Sequence, residues 1–106
     1  MARALVNVPK RARMGEIIEI KALVSHPMES GYRVGLNGAV IPRDIIRLFT
    51  CGYNGVEIFR AEFSPAVAAN PFMSFSTLAL ESGTLTFRWT GDKDFEVVET
   101  AEIVVE

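Results

Sequence analysis

The chain holds one thiol and one imidazole, Cys51 and His26, and these are the first residues to weigh for chemistry. A lone cysteine could act as a nucleophile, a redox centre or a sulfur carrier. Each role needs the thiolate, and therefore an accessible or electropositive setting. In Leu48-Phe49-Thr50-Cys51-Gly52-Tyr53 the cysteine shares strand parity with Phe49 and Tyr53, which predicts a packed small hydrophobe with a raised pKa. His26 could pair with Glu29 or Cys51, but it precedes Pro27 in a loop and no spacing ties it to either partner. A histidine that hydrogen-bonds the backbone is the expectation. Glu96, Glu99, Glu102 and Glu106 are strung along an extended segment and read as its solvent face, not as two carboxylates facing one another. Glu96 and Glu102 share parity with Val98 and Val104, which implies either a bulge or an apolar stripe kept for a partner.

One Cys and one His exclude an internal disulfide and any zinc site of four Cys and His ligands. No glycine cluster leads from a strand into a helix, so a phosphate-cradling loop is absent too. No catalytic set, cofactor or metal site is expected. The residues read bottom-up as a binding or scaffold module.

The elements that must position these residues all read as strands. Ala4 to Val8 is a first short one, closed by Pro9 and followed by the basic stretch Lys10, Arg11 and Arg13. In Glu16 to Val24, Ile18, Ile20, Ala22 and Val24 fall on one face, with Glu19 and Lys21 on the other. Ile45 to Tyr53 is apolar on both faces, as a central strand is, and Asn54-Gly55 is a strong hairpin signal leading into Val56 to Phe63. Ser64-Pro65 and the alanines up to Pro71 predict one helical turn, used as a crossover. Phe72 to Leu80, the alternating run through Leu85, Phe87 and Trp89, and Phe95 to Val105 complete the set. About seven antiparallel strands with turns every 8 to 12 residues or so describe one immunoglobulin-like β-sandwich domain over residues 1–106.

Residues 25–44 interrupt this pattern for about twenty positions, with Gly31, Gly35, Asn37-Gly38 and Pro42 as punctuation. Loops beyond about 12–15 residues in a compact domain are uncommon and are usually functional or mobile. Asn37-Gly38 could also be the turn of a small hairpin inside the excursion.

Charge narrows the partners. The net charge is -2, and no basic stripe interleaved with aromatics is present, so nucleic-acid binding is not expected. Residues 1–60 carry a net +4 and residues 61–106 a net -6, which is either a set of solvated faces or a charge-steered docking surface. No apolar run reaches the length of about 18 residues that a membrane-spanning helix needs, and the first residues lack a signal-peptide pattern. A water-soluble, cytoplasmic chain is the default expectation, unless it is exported bound to a partner.

Several segments together resemble one family: Val24-Ser-His-Pro-Met-Glu-Ser-Gly31, Ile41-Pro-Arg-Asp-Ile-Ile46, Phe49-Thr-Cys-Gly-Tyr-Asn-Gly55, Ala69-Asn-Pro-Phe72 and Phe87-Arg-Trp89. They look like SoxZ, the Z subunit of the carrier complex SoxYZ of bacterial thiosulfate oxidation, over about Gly15 to Val105. The resemblance implies an immunoglobulin-like fold and a non-catalytic role, in a heterodimer with a Y subunit whose glycine-rich tail cysteine carries the sulfur intermediates. It implies transient contact with the other sulfur-oxidation enzymes, and a periplasmic location reached by co-export with the partner. By motif, the residues implied in partner recognition are His26, Met28, Glu29, Ser30 and Gly31 in the first arm of the loop, and Ile41, Pro42 and Arg43 in the second. Cys51 and Asn54-Gly55 also match, with structural roles sufficient for both. The stretch Val34 to Val40 is more apolar than the resemblance implies. Two other readings stay open: an immunoglobulin-like interaction module unrelated to sulfur, and a carrier that uses Cys51 itself. Without its partner, an exposed strand edge or apolar patch would favour a homodimer.

Overall fold

The alternation read from the sequence is what builds the core. In the computed structural model, which describes residues 4–106, Ile18, Ile20, Ala22 and Val24 all point inward from a strand whose other face is exposed. Among the described residues eight strands form: β1 (Ala4–Asn7), β2 (Arg11–Ala12), β3 (Ile17–Val24), β4 (Ile46–Tyr53), β5 (Val56–Glu62), β6 (Phe72–Leu78), β7 (Gly83–Gly91) and β8 (Glu96–Val105). They make two sheets, β1-β3-β6 and β2-β8-β7-β4-β5. The sheets face each other across Ile18, Ile20, Val24, Phe49, Cys51, Leu85, Phe87, Trp89 and Ile103, every one of them almost or wholly inaccessible. This is the expected all-β immunoglobulin-like sandwich, with β4 an interior strand between β7 and β5 that buries one face and leaves the other half-exposed, not apolar burial on both sides.

Aromatic rings fill the middle. Phe49 lies 5.0 Å from Trp89 and about 6 Å from Phe59, Phe75 and Phe87, measured between ring centroids. Phe59 and Phe75 stack at 4.2 Å with their planes 6° apart, sealing the side where the edge strands β5 and β6 face one another. The β4–β5 hairpin turns at Asn54 and Gly55, both with positive φ (49° and 84°), as the Asn-Gly signal required.

Three expectations need correction. Arg11–Ala12 is an eighth strand, parallel to Val104–Val105, so the sandwich is not purely antiparallel. Two residues are too few to show a period in sequence. The stretch after β5 forms no helical turn of its own: the Val67 N–H donates to the Ser64 carbonyl at 3.1 Å and the Ala66 N–H to Ser64 Oγ at 3.2 Å, a single reverse turn that goes no further. Pro71 follows too soon for a helix to propagate. Finally, the β7–β8 pairing runs without a shift from Gly83↔Ile103 to Thr90↔Glu96, so no bulge intervenes. Glu96 and Glu102 face outward with Val98 and Val104, whereas Glu99 lies on the inward parity between Val97 and Ala101 and is half-buried.

The molecule is elongated, 58 × 19 × 19 Å with a radius of gyration of 16.2 Å. A compact chain of this length would have about 13 Å. A ten-residue strand such as β8 spans about 33 Å, a large part of the long dimension.

Candidate functional site: an arm on a polar base

The long excursion between β3 and β4 is a hairpin arm. At its neck, Glu29 and Asp44 exchange both backbone hydrogen bonds at 2.8 Å. Farther out the Ile41 N–H donates to the Arg33 carbonyl and the Gly35 N–H to Ala39, each at 2.8 Å, with Val34 facing Val40. Asn37 closes the tip, its Oδ1 accepting the Ala39 N–H at 3.0 Å. The small hairpin read from sequence forms, but its turn is not the two-residue Asn37-Gly38 one: the Gly38 N–H donates to the Gly35 carbonyl at 3.0 Å, so Leu36 and Asn37 occupy the turn's centre and Gly38 follows at φ 81°.

Below the neck the implied recognition residues form a support. His26 is buried: its N–H donates to Asn70 Oδ1 at 2.9 Å, its carbonyl accepts the Asn70 N–H at 2.8 Å, and its ring meets Phe95 edge-on at 4.6 Å. Its Nδ1 accepts the Met28 N–H at 2.9 Å, which leaves Nε2 to carry the proton of the neutral ring, facing Asp44 at 3.6 Å. Met28 is also buried, with its sulfur accepting the Ile46 N–H at 3.2 Å and its backbone in the left-handed region at φ 51°. A non-glycine residue held there stores strain, so this bend is imposed by its surroundings. Gly31 bends the same leg at φ 90°, and a Cβ there would sit 3.1 Å from the Arg43 Cβ. Neither Glu29 nor Cys51 pairs with the imidazole: Glu29 binds Arg33 through both oxygens at 2.5 and 3.1 Å.

The second leg is latched to the β7–β8 turn. Arg43 donates twice to Asp92 at 2.9 Å, and Asp92 also accepts the Ile45 N–H at 3.1 Å while its own N–H donates to the Ile45 carbonyl at 2.9 Å. The close approach needs Gly91, whose added Cβ would lie 2.3 Å from the Ile45 carbonyl oxygen. Asp44 completes the base with Lys93 at 3.8 Å. The Arg43 guanidinium, aided by the Ile45 N–H, holds the Asp92 carboxyl below its usual range, and Arg33 does the same for Glu29. Ser30 accepts the Tyr32 N–H at 3.2 Å, while Ile41 and the exposed Pro42 lie in the stem of the second leg.

What the arm offers outward is apolar. Tyr32, Val34 and Val40 are exposed, and Leu36 at the tip is as accessible as a free side chain at 111%. Strand alternation and the Val34↔Val40 pair put Tyr32, Val34 and Val40 on one face, with Pro42 opposite Tyr32, and Leu36 stands beyond them in the turn at the tip. Sequence reasoning singled out the support and passed over this face; the signal it offered was the apolar run Val34 to Val40. The Asp44 and Asp92 latch was also missed, because Arg43 and Asp92 lie 49 positions apart and only the topology joins them.

Cys51 lies apart from the arm in the core, 0% exposed, and burial pushes its thiol up to about 12. At neutral pH almost none is thiolate. Labelling of the native protein by a thiol reagent is accordingly expected to proceed only as fast as the fold opens, and to become rapid in denaturant. Fast labelling of the native chain would contradict the packing. Among the described residues no group of three or more His, Cys, Asp or Glu is placed to hold a metal ion. Nor is any helix there long and apolar enough to cross a membrane.

Burial holds the His26 pKa below its ordinary value of 6.5, against the opposing pull of Asp44 and Asp92. Below pH 6.5 the unfolded chain takes up this proton before the native one does. The imidazole's contribution is therefore complete above that value and is lost as pH falls from 6.5 to the depressed native pKa. As the chain has one histidine, its imidazole NMR signals read the native titration directly. The midpoint is expected below 6.5, and a midpoint above it would mean that the carboxylates outweigh burial.

The model of the family described as sulphur oxidation protein SoxZ matches residues 6–102. The chain belongs to the SoxZ family. A match that covers both legs of the arm, all but the ends of the sandwich and the segments quoted above turns the resemblance into membership of a sulfur-oxidation subunit family. No curated protein matches the chain closely enough to count as a relative. Among solved structures, superoxide reductase (neelaredoxin) from Ignicoccus hospitalis is similar with a TM-score of 0.71 and 17% identity, over 97% of this chain and 80% of that one. The sulfur carrier protein SoxY from Chlorobium limicola f thiosulfatophilum gives 0.68 and 11%, over 97% and 78%. The CARDB domain of a Pyrococcus furiosus protein gives 0.57 and 11%, over 100% and 94%. At these identities the likeness is one of fold, and it says nothing of a shared reaction.

Proposed function

We propose that this chain is the non-catalytic Z subunit of a sulfur-carrier complex, and that it binds a Y-type subunit through the apolar face of the arm. The observation that carries the reading is that Tyr32, Val34, Leu36 and Val40 are held clear of the sandwich by a base in which nearly every polar group is paired. An apolar surface fixed in this way marks a protein contact. Family membership supports a place in sulfur oxidation, and the SoxY structure supports a partner built on the same sandwich. The buried Cys51 leaves the carrier thiol to that partner, with thiosulfate-derived sulfur as cargo and the other sulfur-oxidation enzymes as transient contacts. The periplasm is the proposed site of action, reached together with the Y subunit.

Co-expression with the Y-type subunit of the same organism tests this, with the tag on the Y chain only. The expected result is one species of equal stoichiometry that survives size exclusion. Two separate, monodisperse proteins would overturn the proposal.

A further inference from the structure

Sheet edges need protection, because their unpaired N–H and C=O groups invite another strand. The edge strand β5 carries Glu57, Arg60 and Glu62, and its partner β4 shifts register between Cys51 and Gly52. β1 and β2 are only four and two residues long. The edge strand β6, Phe-Met-Ser-Phe-Ser-Thr-Leu, has none of these devices: seven residues, no charge, no proline, and an unbroken register against β3 from Ile17↔Leu78 to Leu23↔Phe72. The stack of Phe75 on Phe59 holds it in place from beneath.

We propose that β6 joins two copies of this chain, edge to edge and antiparallel about a twofold axis at Phe75, making one six-stranded sheet from the two three-stranded ones. The pattern is self-complementary in that register. On the outer face Phe72, Ser74, Ser76 and Leu78 read apolar, polar, polar, apolar, so Phe72 meets the second copy's Leu78 and Ser74 meets its Ser76. The rows behind them match as well. Leu5 and Leu23 line up with Phe72, and Ile17 with Leu78, so the exposed apolar ends of the two faces become continuous. Lys21 lines up with Ser74 and Glu19 with Ser76, so each polar row has a lysine at one end and a glutamate at the other. A slip of two residues would set Phe72 against Ser76 in one direction and Leu78 against Ser74 in the other, so the apolar match is lost either way. The inference concerns the chain alone and does not depend on the proposed function.

An interface of one edge strand is small, so the dimer is weak and visible only at high concentration. Sedimentation equilibrium from about 1 μM to about 1 mM is expected to show the average mass rising toward twice that of the chain, a range that suits small interfaces. The double variant Ser74→Lys/Ser76→Lys sets lysine against lysine twice and is expected to remain monomeric at the top concentration. Ser74→Glu/Ser76→Glu is expected to do the same, and mixing the two double variants is expected to restore association. Thr86→Lys, on the exposed face of the other sheet, is expected to associate like the parent. A parent chain that stays monomeric to the top of the range would overturn the inference. So would a folded lysine or glutamate double variant that associates as the parent does.

Discussion

Serine at Tyr32, Val34 and Leu36 together is expected to weaken binding of the Y-type subunit by about 100-fold or more, while the free energy of unfolding changes little. The two halves of this expectation rest on the same fact. These side chains are exposed in the free chain, and surface substitutions of that kind usually shift stability by no more than about 0.5 kcal/mol. In a complex they would be covered, and full burial of a large apolar side chain contributes about 1.5–3 kcal/mol. Three lost contacts, half realised, amount to about 2.3–4.5 kcal/mol, a range that includes the roughly 2.7 kcal/mol of a hundredfold change in affinity. Tyr32 and Leu36 are expected to dominate, being the largest and the most accessible. Isothermal titration of the triple variant against the Y-type subunit reads the loss directly. Unchanged affinity would move the contact elsewhere.

Phe49→Ala is expected to cost about 3–5 kcal/mol, a large share of the total for a domain that is stable by about 5–15 kcal/mol. The ring is wholly buried on β4 and meets Phe59, Phe75, Phe87 and Trp89, which come from both sheets. Its neighbours are held by strand pairing on β4, β5, β6 and β7, so they cannot close over the void. Cys51, two residues along the same face, gives a second readout: its labelling rate should rise with the population of the opened state. Equilibrium denaturation checks the first, and a loss below about 1 kcal/mol would show that the core collapses around the gap.

Where one face of a strand is buried, period two had to appear, and β3 and β7 were legible from it to within a residue or two, whereas β4 and β8 were legible as extended segments bounded by turn residues. The Asn54-Gly55 turn was legible because φ is positive at both positions, and few other pairs accept that. The arm was legible only as an interruption. Its motif residues drew attention because they are unusual in type. The structure gives His26, Met28, Gly31 and Arg43 local work: an imidazole that caps Met28, a strained bend, a close crossing and a latch on Asp92. The outward face was written in ordinary apolar residues, and nothing local distinguishes an exposed valine hairpin from a buried one. Exposure there depends on no other element packing over the arm, which is a property of the whole topology. Glu99 makes the same point in reverse: the three glutamates of β8 and Glu106 just after it looked like one polar face until the pairing with β7 fixed the parity.

In the proposed complex the arm's apolar face is the surface the Y-type subunit covers. Amide hydrogen exchange of the chain, free and in complex, tests it residue by residue. The amides of Ile41 and Gly35, which close the hairpin, and those beside Tyr32, Val34, Leu36 and Val40 are expected to exchange much more slowly in the complex, with little change on the outer face of the five-stranded sheet. A complex that forms with the arm exchanging as fast as in the free chain, and with protection confined to another surface, would contradict it.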